Sequence, residues 1–166
     1  MFKKEPLARR SAAAPRPPLL PFRTITSGKM RAMLVVHATR KLLERLRVRP
    51  ADAIAPSTTI LGSWYATVLF WRPQVALWIN ERTLLPLLIP LAPAASLLDR
   101  FPDELAVLLQ RLGAPSSFVA AEVEQMAERQ VAKTASRSLL GTMNEFSCLA
   151  DDYRRRHPAA HCSRAT

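Results

Sequence analysis

Apolar residues change their spacing part-way along this chain. From Met33 to Leu91 they come in short β-branched and aromatic runs, and beyond Ala94 they recur every three or four residues. The first spacing suits strands buried by their pleat, and the second suits helices with one apolar stripe. Met33–Ala38 reads as a buried strand, and Thr39 as the cap of a helix through Leu46 whose inner face is Leu42, Leu43 and Leu46. Residues 62–71 and 75–80 read as a hairpin turned at Arg72-Pro73-Gln74, followed by a strand over 84–91 in which Pro86 favours an edge. Helices are expected at 94–101, from Pro102 to Leu112, over 116–129 and from about Arg137 to Tyr153, with an extended piece at 130–134. Strands early and helices late predict an α+β domain, a small antiparallel or mixed sheet packed against several helices.

A chain of 166 residues, 49% of them hydrophobic, has room for one domain with a substantial core. The formal charge of +11 invites a nucleic-acid reading until its distribution is considered. Residues 1–32 hold eight Lys/Arg against Glu5 alone, whereas 33–150 hold twelve against ten Asp/Glu and 151–166 hold four against two. The excess lies mostly outside the segment that carries the regular pattern. Residues 1–32, rich in Arg, Ala and Pro, are therefore expected to be a disordered basic extension or to precede the functional start at Met33. Residues 33–153 form the expected single domain, and 154–166 a disordered basic tail.

Cys148 and Cys162 provide no framework of paired spacings, so a reducing cytoplasm is the expected location. Prolines 86, 90 and 93 interrupt the longest uncharged stretch, which is shorter than the ~18–20 apolar residues of a membrane helix, and no membrane association is expected.

The densest polar chemistry surrounds the start of the last helix. Lys133, Thr134, Ser136, Arg137 and Ser138 stand beside backbone N–H groups that a helix start leaves free, an arrangement suited to phosphate or carboxylate. Along that helix Leu139, Leu140, Met143, Phe146, Leu149, Ala150 and Tyr153 form the expected core stripe, with Arg137, Gly141, Asn144 and Cys148 opposite. Gly141 either permits close approach of a ligand between Arg137 and Asn144, or marks a kink or a packing contact under the 48–59 loop. Asn80 and Arg82 either face the same cleft or belong to an ordinary turn. His37 could serve as a base, although a satisfied core or edge histidine explains it better.

Other chemistry finds less support. His157 and His161-Cys162 are parted by Pro158, the four glycines form no phosphate loop, and Ser136 and Ser138 have no neighbouring His. Glu122, Glu124 and Glu128 read as a helix surface, and Trp64, Tyr65, Trp71 and Trp78 mostly as core. No metal or other cofactor is called for.

The segments Met33-Leu-Val-Val-His-Ala-Thr-Arg-Lys-Leu-Leu, Trp64-Tyr-Ala, Asn80-Glu-Arg-Thr and Lys133-Thr-x-x-Arg137-Ser-x-x-Gly141-x-Met-Asn144 resemble a family of small uncharacterised bacterial proteins, a domain-of-unknown-function group. The resemblance extends to domains in proteins that are similar to plasmid-borne open-reading-frame products. The resemblance covers about 33–153 and implies no established activity. The residues favour a cytoplasmic domain binding an anionic ligand (nucleic-acid phosphate or a phosphorylated small molecule); the alternatives are a protein–protein adaptor or toxin–antitoxin-like partner using the Gly141 stripe, and a nuclease or hydrolase whose acid/base pair is unassigned. The corresponding partners are nucleic acid, another protein, or a second copy of the chain.

Overall fold

The computed structural model describes residues 32–157, so the expectations for 1–31 and for His161-Cys162 lie outside the described residues. Strands β1 (Met33–Ala38), β2 (Trp64–Leu69), β3 (Val75–Asn80), β4 (Pro86–Pro90) and β5 (Glu128–Lys133) build one sheet in the order β4-β3-β2-β1-β5. β1 runs parallel to both β2 and β5, while β2–β3 and β3–β4 are antiparallel. The mixed sheet and its helices make an α+β domain.

The pleat divides the side chains between two unequal layers. Leu34, Val36 and Ala38 of β1, the last two in register with Trp64 and Ala66 of β2, face the larger core. Three helices cover it: α1 (Arg40–Leu46), α2 (Leu97–Arg111) and α3 (Ser116–Glu124). Phe101 of α2 is its wedge, stacked on Trp78 at 4.2 Å and edge-on to Trp64 at 5.1 Å. On the other face a smaller cluster joins Tyr65, Leu69, Leu77 and Ile79 to Leu139 and Met143 of α4 (Arg137–Arg156), which lies against β2 and β3. The loop after α1 wraps the β5 side: Ala51 N–H donates to Val131 O, and the Gln130 side chain bonds Ala53 O and Ala55 N.

Several elements differ from the sequence-based expectation. Pro102 sits inside α2 and does not start a helix, because Leu97, Phe101, Leu105 and Leu109 bury one stripe straight across it. The proline removes only one early hydrogen bond. α3 stops at Glu124, and the extended piece begins at Glu128, where pairing with β1 captures residues whose local pattern is helical. Thr39 occupies the N-cap position of α1, but its hydroxyl bonds Thr67 Oγ1 at 3.0 Å and caps no amide. Ser136, by contrast, does cap α4, accepting from Leu139 N at 3.3 Å. α4 continues to Arg156, taking in three residues of the expected tail.

Gly141 neither kinks α4 nor packs under a loop: it lies exposed in an unbroken helix, and a Cβ there would meet nothing within 4 Å. Gly141→Ala should therefore raise stability by roughly 0.5–1 kcal/mol, because alanine loses less backbone freedom on folding. Thermal unfolding checks this, and a lowered Tm would show that the position is already crowded.

Candidate functional site

The start of α4 follows directly from β5, at the end of the sheet where the parallel strands β1 and β5 finish. Thr134 is committed to structure there, its N–H donating to Ala38 O at 3.2 Å and its hydroxyl to His37 O at 3.3 Å. The Ser136 oxygen is engaged as the helix cap. Lys133, Arg137, Ser138 and Asn144 are exposed, and no ion pair engages Lys133 or Arg137 among the described residues. Lys133 lies in register with Ala38, on the α1 side of the sheet, so it and Arg137 flank the strand end from opposite faces.

Asn80 and Arg82 are not part of this cluster. Asn80 is in register with Trp64 on the larger-core face and is 0% exposed. Its Nδ2 donates to Leu61 O at 3.0 Å, and its Oδ1 accepts from Arg82 N, Thr83 N and Thr83 Oγ1. With donor and acceptor both engaged, Asn80 ties the 81–83 turn to the 60–63 loop. Arg82 reinforces the tie by donating to Ile60 O, and its guanidinium approaches Gly62 so closely that a Cβ there would sit 3.0 Å from Nε.

The third member of this latch is Glu122, which belongs to no helix surface. Its side chain is fully buried, and its carboxylate accepts from Ile60 N at 2.7 Å and Leu61 N at 3.2 Å. Burial raises its pKa above the ordinary carboxylate value, and the two backbone donors oppose that rise. Helical spacing carried a signal for it: Glu122 stands three residues after buried Val119 on the inner face of α3, while exposed Glu124 falls on the opposite side.

His37 is half-buried and stacked on Tyr65 at 4.6 Å, with Nδ1 3.5 Å from Lys133 O. Its neighbours are thus an aromatic ring and a backbone carbonyl. The Tyr65 hydroxyl is held above its usual pKa by burial and, secondarily, by the charge of Glu81. Among the described residues, no group of three or more His, Cys, Asp or Glu could hold a metal. No described helix is long and apolar enough to cross a membrane.

A concave feature lies at the opposite end of α4, where the expected core stripe runs off the sheet. Leu139 and Met143 are buried and Leu140, Phe146 and Ala150 half-buried, but Leu149 is 64% and Tyr153 59% exposed. α4 outlasts the strands beneath it, and its last two turns leave an open groove against the β3–β4 edge. The groove encloses about 670 Å³ between Phe146, Leu149 and Tyr153 on α4 and Trp71, Pro86 and Leu88 across from them. Its rim carries two arginines: Arg154 lies 5.2 Å over the Trp71 ring, and Arg156 pairs with Asp152 at 2.6 Å. The Asp151 carboxylate accepts from Trp71 Nε1, fixing the indole as one wall.

A family model described as a domain of unknown function (DUF6933) matches residues 35–164, from β1 through α4 and beyond the groove. No curated protein and no solved structure matches the chain.

Proposed function

We propose a role for this chain from the premise that it belongs to the DUF6933 family of unknown function: it is an adaptor domain that recognises an anionic, apolar-bearing partner through the groove between α4 and the β3–β4 edge. The observation that carries this reading is the exposed pair Leu149 and Tyr153 over an open apolar cavity, beside Arg154 and Arg156. Exposed large apolar side chains gathered around a concavity mark a recognition surface more strongly than scattered ones do. The cationic rim would give the partner orientation and raise its rate of encounter.

A second reading places a phosphate or carboxylate at the start of α4. Its support is the exposure of Lys133, Arg137 and Ser138 without a carboxylate partner among the described residues, next to first-turn amides. One probe separates the two. The dye 1-anilinonaphthalene-8-sulfonate, apolar with a single anionic group, should fluoresce on binding the native protein. That signal should fall strongly in Leu149→Asp and persist in a Lys133→Ala/Arg137→Ala double variant. The opposite pattern would move the site to the α4 start, and a signal indifferent to both changes would rule out the groove as a recognition surface.

A further inference from the structure

Granted the adaptor role proposed above, on which this inference rests, the groove also constrains the shape and charge of its occupant. β4 forms one outer edge of the sheet, the usual place for a partner to add a strand. Leu91 N donates to Gln74 O and Asn80 N to Leu85 O, so residues 85 and 91 belong to hydrogen-bonded pairs facing β3. Alternation along an antiparallel ladder then turns residues 86, 88 and 90 outward. Two of these are prolines, and Leu88 alone retains an outward N–H within β4. A docking strand would find too few donors for a ladder. An occupant that satisfies its own backbone is required, and a helix does so.

The α4 wall has matching geometry. Phe146, Leu149, Ala150 and Tyr153 are spaced i, i+3, i+4 and i+7, a ladder about 10 Å long facing Leu88 and Trp71. Such a ladder receives the apolar stripe of another helix. The rim sets the charge: Arg156 lines the groove, Arg154 lies over its Trp71 wall and exposed Arg72 follows Trp71 in the chain, against Asp151 and Asp152. Residues 1–32, with eight Lys/Arg against one Glu, would bring like charge to this rim. Residues 158–166 contain no apolar side chain larger than Pro158 or Cys162 to fill it. A second copy docking by the same face would bring two rims of the same net positive charge together.

We infer that the groove binds an amphipathic α-helix of a partner protein, with acidic residues flanking its apolar stripe. Fluorescein-labelled peptides of about 18 residues test this by anisotropy on the full chain. They comprise a Leu/Glu amphipathic helix, the same pattern with Lys for Glu, and an alternating Val/Glu peptide that favours strands. The Leu/Glu helix should bind at least about tenfold more tightly than either control, and added salt should weaken it. Leu149→Asp should reduce binding about tenfold or more, and Arg154→Glu/Arg156→Glu should invert the preference between Leu/Glu and Leu/Lys helices. Leu149 is exposed, so an unchanged Tm is expected to confirm that Leu149→Asp folds.

Equal binding of the strand-forming or lysine peptide would overturn the inference. So would binding indifferent to Leu149→Asp, or capture by phosphatidylserine vesicles with no peptide binding. A concentration-dependent dimer abolished by Leu149→Asp would make a second copy the occupant, also overturning it. Loss of peptide selectivity with the dye signal still sensitive to Leu149 would defeat only the helix inference. Loss of both would defeat the adaptor reading as well.

Discussion

Glu122→Ala should destabilise the domain by about 2–4 kcal/mol at neutral pH, because it strips the acceptor from the amides of Ile60 and Leu61 and empties a buried site. Glu122→Gln should cost much less, since one amide oxygen can still take both donors. The two proteins should also differ in pH response. Burial raises the folded-state pKa of Glu122, so as pH rises the unfolded chain ionises first and the native state loses stability relative to it. The contribution is most favourable below the ordinary carboxylate range. It declines as pH climbs through that range and levels off once the folded carboxyl has ionised. Glutamine does not titrate, so native stability measured against Glu122→Gln should fall over that interval in urea unfolding series. A difference independent of pH would show that the amide bonds fully offset burial. A negligible effect of Glu122→Ala would mean that the 60–63 loop is held by Asn80 and Arg82 alone.

The other large effect is expected at Phe101. Its ring is fully buried between Trp64 and Trp78, joining α2 to the two central antiparallel strands. Phe101→Ala should cost about 3–5 kcal/mol, from lost transfer energy and a cavity whose rigid indole walls cannot collapse into it. For a domain whose total stability is of order 5–15 kcal/mol, much of the population would unfold on mild heating. Denaturant titration checks the value; a loss below about 1 kcal/mol would mean that the two indoles repack against each other.

These positions illustrate how unevenly the architecture was written in the sequence. The hairpin of β2 and β3, the edge position of the Pro86 strand and the Ser136 cap all follow from local chemistry: pleat alternation, a missing proline N–H, and a hydroxyl three residues before an amide. Pro102 and Glu128 mislead because burial of a stripe and pairing with β1 outweigh local preference. The candidate site was legible only in part. Lys133, Arg137, Ser138 and Asn144 are exposed, whereas Asn80 and Arg82 are engaged elsewhere in a latch with Glu122.

By itself the sequence determined the α+β class, the strand-rich first half and the amphipathic character of α4, since periods of two and of three to four residues are properties of the chain alone. Only the tertiary structure decided what α4 does with its stripe. Leu139 and Met143 find the sheet and are buried, whereas Leu149 and Tyr153, on the same stripe, extend past its edge and stay open beside Arg154 and Arg156. Periodicity specifies which face of a helix is apolar, and the extent of the layer beneath specifies how much of that face is covered. The uncovered remainder, where sheet and helix end at different points, is the surface left open to a partner.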